Sequence, residues 1–170
     1  MDIDAIRSLV AAKAGCAPVH YEAAELLGFD GCLAQRDIRD YLSQCLSPSG
    51  YVASGVRVHN LTSIRGEVCP RAGPGGYIFP HGYIVVASSI GGNAVCFHSP
   101  TGRVVWADHE GFADDVICYQ DRASGKWHDA EFTPANIEKA VVLLSADIGN
   151  FLSDLLADKL EQQLEALDLG

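Results

Sequence analysis

No stretch of this chain reaches the roughly 18 consecutive apolar residues that a membrane-spanning helix needs. The opening residues Met1-Asp2-Ile3-Asp4 bring neither the basic patch nor the continuous apolar segment of a secretory leader. The expectation is a cytoplasmic protein that does not enter a membrane. Positive charge is scarce too. Lys and Arg number 12 against 22 Asp and Glu, a formal net charge of -10. Such a chain repels phosphate backbones and anionic lipid surfaces, so no nucleic acid is expected as a partner, whereas a basic protein would be attracted.

The common catalytic signatures are missing as well. Gly73-Pro74-Gly75-Gly76 lacks the Lys and Ser/Thr of a phosphate-binding loop, and there is no Gly-x-Ser-x-Gly elbow and no His-Glu-x-x-His. Six cysteines are present, Cys16, Cys32, Cys45, Cys69, Cys96 and Cys118, but no Cys-x-x-Cys, which removes zinc ribbons and thioredoxin-like sites. A chain of 170 residues can build a core without staples, so reduced, mostly buried thiols are expected. The composition, 48% hydrophobic and 20% charged, is that of a globular chain rather than a disordered one.

What the sequence does contain is a change of period. Ile3, Ile6, Leu9 and Val10 are spaced as a helix that Gly15 ends. Helical spacing recurs over 21–27 and over 34–46, where Ile38, Tyr41, Leu42 and Cys45 share a face. From residue 51 alternation takes over, with Val56 and Val58 on a strand that reaches towards Leu61. Residues 66–82 read as a Gly/Pro-rich loop with a short strand at Tyr77–Phe79. A β-meander follows: Tyr83–Ser89, a two-residue turn at Gly91-Gly92, Ala94–His98, a turn at Ser99-Pro100-Thr101-Gly102, and Arg103–Ala107.

Those turn centres predict that Val86 pairs with Phe97 and Phe97 with Val104, and that Ser88 pairs with Val95 and Val95 with Trp106. One face then carries Ile84, Val86, Val95, Phe97, Val104 and Trp106 and should hold the core. The other carries Val85, Ala87, Cys96, His98, Arg103 and Val105, and needs cover from the chain itself or from a partner. Beyond the meander, 114–120 reads as a further strand, 121–126 as a polar turn, and Thr133-Pro134 as a helix start. Ala140–Leu144 is helix or short strand. Asp147 to Leu167 reads as one strong helix, with Ile148, Phe151, Leu152, Leu155, Leu156, Leu160 and Leu164 on its stripe. The reading is one α+β domain over residues 1–170: a mainly antiparallel sheet flanked by N- and C-terminal helices.

For chemistry, Cys96 and His98 share a strand face, and Asp108 and His109 lie just past the next strand. Together they offer thiolate, imidazole and carboxylate groups to a metal or a small hydrolase, although no spacing matches a ligand frame. Packed thiol, strand-end histidine and polar loop are the plainer roles. Trp106 falls on the core face, while Trp127, beside a polar turn, is open to core or interface.

The run Gly82-Tyr83-Ile84-Val85-Val86-Ala87-Ser88-Ser89-Ile90-Gly91-Gly92-Asn93-Ala94-Val95-Cys96-Phe97 resembles the central hairpin of the SMI1/KNR4 (SUKH) superfamily. In that family a further strand ends in an acidic-His pair, as Val104-Val105-Trp106-Ala107-Asp108-His109-Glu110 does, and an apolar stretch leads into a helix, as over Val142–Leu152. The resemblance implies an α+β fold with no enzymatic activity and no cofactor. It implies a protein partner, in bacterial members a toxin, and the acidic charge suits a basic one. On this reading the partner-facing residues are Gly91, Asn93, Cys96, His98, Arg103, Asp108 and His109.

Overall fold

The structure, a computed structural model, describes residues 1–70, 73–113, 116–121 and 123–169. In chain order these form α1 (Ile3–Ala14), α2 (Arg36–Gln44), β1 (Tyr51–Ala53), β2 (Val56–Val58), α3 (Leu61–Glu67), α4 (Gly75–Ile78), β3 (Tyr83–Ser88), β4 (Ala94–His98) and β5 (Arg103–Ala107). There follow β6 (Phe112–Ala113), β7 (Val116–Gln120), β8 (Trp127–Ala130), α5 (Pro134–Ala140), β9 (Val141–Ser145), α6 (Ile148–Leu156) and α7 (Glu161–Asp168). The fold is α+β. A six-stranded antiparallel sheet of order β1-β2-β3-β4-β5-β9 stands beside a small sheet of order β6-β7-β8, with N- and C-terminal helices flanking the main sheet.

Local chemistry sets many of the boundaries. Asp2 caps α1 by accepting from the Ala5 N–H at 3.1 Å, and Gly15 ends the helix in the left-handed region. Thr133 caps α5 with Pro134 in its first turn. Other boundaries differ from the sequence reading. Between 21 and 27 only a 3-10 turn forms, Ala23–Leu26. Leu61 does not extend a strand but opens α3, because Asn60 accepts from the Ser63 N–H at 2.9 Å and caps a helix there. The short strand expected at Tyr77–Phe79 is instead α4 running into a 3-10 turn. Of the expected strand 114–120, residues 116–120 form β7, while 114 and 115 lie outside the described residues, as do 71–72 of the Gly/Pro-rich loop and 122 of the polar turn.

The β4–β5 register is the expected one: Phe97 pairs with Val104 and Val95 with Trp106. The β3–β4 register is not. Ile84 pairs with Phe97, Val85 with Cys96, Ala87 with Val95, and the ladder shifts between Val85 and Ala87. Two offsets combine here. The turn spans three residues, since the Ser89 N–H donates to the Asn93 carbonyl and Gly92 takes φ 93, and a bulge then absorbs Val86. Together they shift the ladder by two residues, which returns Ile84 to the Phe97 face. Ala87 moves to that face as well, a correction to its expected place with Cys96 and His98.

Ile84, Val86, Ala87, Val95, Phe97, Val104 and Trp106 form one cluster with the apolar sides of α1, α2 and α6. Tyr83, Val85, Cys96 and Val105 point the other way and pack with Ile78 of α4, Phe112, Ile117 of β7, Ile137 of α5 and Val141. The second face is thus filled by the chain itself.

The single C-terminal helix expected from Asp147 to Leu167 is broken in two. Asp158 adopts φ 55 between α6 and α7. Its carboxylate accepts from the Ser54 N–H at 2.7 Å and pairs with Lys13, while the Ser54 hydroxyl donates to the Leu155 carbonyl at 2.8 Å. These contacts offset the left-handed backbone and swing α7 so that Leu164 is buried.

Candidate functional site

The residues singled out from sequence separate into two groups at opposite ends of the β4–β5 ladder, because the strands are antiparallel and pair Ala94 with Ala107 and His98 with Arg103. At one end stand Gly91, Asn93, Asp108 and His109. Asn93 is buried and acts as a connector: its side-chain Oδ1 accepts from the His109 N–H at 2.9 Å, and its Nδ2 donates to Asp168 Oδ1 at 2.9 Å. Gly91 lies against the same carboxylate, where an added Cβ would sit 3.2 Å from Asp168 Oδ1.

At the other end, His98 stacks on Tyr83 with ring centroids 4.2 Å apart, and its Nδ1 lies 2.8 Å from the Thr101 hydroxyl. The Tyr83 hydroxyl donates to Glu138 at 2.6 Å, and Arg103 donates to the same carboxylate oxygen. Burial pulls the Glu138 carboxyl upward, but the bonds from Arg103 and Tyr83 outweigh it and hold the group below its ordinary range. Burial, then the Arg103 charge, pushes His98 below the usual imidazole value. Tyr83, His98, Arg103 and Glu138 thus bond within the chain.

Cys96 belongs to neither end. It is fully buried on the second face, so its thiol packs instead of facing a partner, and burial pushes its pKa up. Burial likewise raises Cys32, and raises Cys45 to about 12. A nucleophilic thiol needs the opposite shift. The set Cys96, His98, Asp108 and His109 is not brought together, and among the described residues no three His, Cys, Asp or Glu side chains form a metal-holding group. No helix among them is long and apolar enough to cross a membrane.

Arg103, Glu138 and Asp108 also line a larger concave surface. A groove runs between the outer strand β9 and the small sheet. Its two adjoining cavities, of about 430 and 520 Å³, share Tyr119, Gln120 and Lys139 as walls. Val141, Leu143, Arg103 and Glu138 line the first, and Trp106, Val142, Trp127 and Leu167 are among the lining of the second. Two large apolar side chains open to water face this groove: Trp127 is 66% exposed and Leu143 54%. Of the two tryptophans, Trp106 is in the core and Trp127 on the surface. Leu143 and Tyr119 gave no signal in the sequence, since their position depends on β9 being an edge and on β7 standing beside it.

Comparison with family models, with curated proteins and with solved structures finds no match for this chain.

Proposed function

We propose that this chain is a non-enzymatic protein-binding module, an inhibitor of the immunity type that neutralises a basic toxin. The observation that carries the reading is the groove beside β9, where Trp127 and Leu143 are held open to water on an acidic chain. An exposed Trp at the wall of a groove is the kind of side chain that anchors protein interfaces, and exposed apolar side chains gathered at one groove mark a contact site more often than scattered ones do. The charge of -10 speeds encounter with a cationic partner. The resemblance of the Gly82–Phe97 hairpin to SUKH proteins supports the same reading.

The test is co-expression with the product of the neighbouring gene. Recovery of growth together with a purified stoichiometric complex supports the proposal, and Trp127→Ala is then expected to weaken the complex by about tenfold or more. Unrelieved toxicity with no complex overturns it.

A further inference from the structure

One of the two edge strands of the main sheet, β9, has a ladder partner on one side only among the described residues, β5. Its other edge is left without a paired strand among the described residues, and its Val141, Val142 and Leu143 line the groove. We propose that this edge receives an extended segment of a protein partner as an added strand, with basic and apolar side chains alternating along it. The inference rests on the protein-binding reading and supplies its mode and its chemistry.

Exposed strand edges present unpaired N–H and C=O groups, and proteins usually blunt them with charge or proline. The strand Val141-Val142-Leu143-Leu144-Ser145 has neither. Such an edge either invites aggregation or serves to receive a strand. The surroundings favour the second. Successive residues of a strand point to opposite faces. Val141 and Leu143, paired with Ala107 and Val105, line the first cavity, while Val142 lines the second. A strand laid along β9 would therefore send alternate side chains into the two cavities, with Trp127 on the facing wall.

The charge of the walls selects the occupant. Among the described lining residues, Asp108, Glu110, Asp121 and Glu138 stand against Arg103 and Lys139, and Arg103 is already paired with Glu138. The groove is net acidic within a chain of charge -10, so lysine and arginine side chains complement it. A second copy of this chain would bring the same negative charge to the same edge.

The test is to pan a display library of random ten-residue peptides on the full chain. Enriched peptides are expected to alternate Lys or Arg with apolar residues, and their addition should slow amide exchange within Val141–Ser145. Leu143→Lys and Trp127→Ala, both at exposed positions, should each weaken binding about tenfold without moving the denaturation midpoint. Peptides that protect other elements and leave β9 unchanged would sink strand addition, as would the absence of any enriched peptide. In both cases the co-expression result still decides the wider reading independently. A dimer in light scattering that Leu143→Lys converts to monomer would replace the partner segment with a second copy and likewise overturn the proposal.

Discussion

The side-chain amide of Asn93 donates to Oδ1 of Asp168 at 2.9 Å, which ties the glycine turn of the meander to the last turn of α7. The same side chain holds the His109 N–H, so one buried amide joins three segments. Asn93→Ala removes both bonds at once and should cost about 2 kcal/mol. Asp168→Asn keeps an acceptor oxygen and should cost well under about 1 kcal/mol. Urea denaturation of the two variants separates them, and equal losses would show that the amide is not the connector.

His59 predicts a pH dependence. Its ring is buried and neither nitrogen has a hydrogen-bond partner among the described residues, although Nε2 lies 3.7 Å from Glu67 Oε1. Burial, then the charge of Arg57, lowers its pKa to about 4. The unfolded chain, with an ordinary imidazole, binds the proton first. Stability from this group is therefore complete above about pH 6.5 and is lost as pH falls towards about 4. By pH 4.5 the loss should be about 2 kcal/mol. Glu67 works in the opposite sense, since burial raises its carboxyl and favours the protonated folded form at low pH. Denaturation midpoints of the wild type and His59→Leu at pH 7 and 4.5 isolate the histidine: the variant should lose less stability on acidification. Identical slopes would mean that His59 protonates as easily folded as unfolded.

Gly75 and Gly66 should respond to alanine with opposite signs. A Cβ on Gly75 would sit 2.4 Å from the Glu67 carbonyl oxygen and 2.9 Å from Val85 Cγ2, whereas a Cβ on Gly66, inside α3, meets nothing within 4 Å. Gly75→Ala has to push backbone aside and should cost about 3 kcal/mol. Gly66→Ala gains helix propensity and should stabilise by about 0.5 kcal/mol. Thermal melts of the pair check both signs together.

Several of these relationships were legible in the sequence and others were not. The β4–β5 register could be read because the turn from Ser99 to Gly102 is centred where its Pro and Gly place it. The β3–β4 register could not, because a three-residue turn and the Val86 bulge leave no distinct trace in Ile-Gly-Gly-Asn. Burial of Ile84 on the Phe97 face is nonetheless legible, since the two offsets cancel in parity. β8 leaves no signal in the sequence because Trp-His-Asp-Ala has no apolar alternation and lies largely in water. The break at Asp158 has no local signal because its cause is a long-range pairing with Ser54 and Lys13, not a glycine or proline. As for the candidate site, Trp127 stood out by residue type alone. The exposure of Leu143 follows from strand order, which no local pattern encodes.

Strand β4 is buried along its whole length and paired on both edges. The helices of one layer and the small sheet of the other therefore lean on a common wall. Losing either layer would bare one side of that wall, so melting should be a single event rather than a peeling of layers. The same coupling reaches into sequence change over time. A residue accepted on one side of β4 shifts the strand for the other, so substitutions under α1 and α6 and those under Phe112 and Ile117 should be tolerated in company more readily than alone.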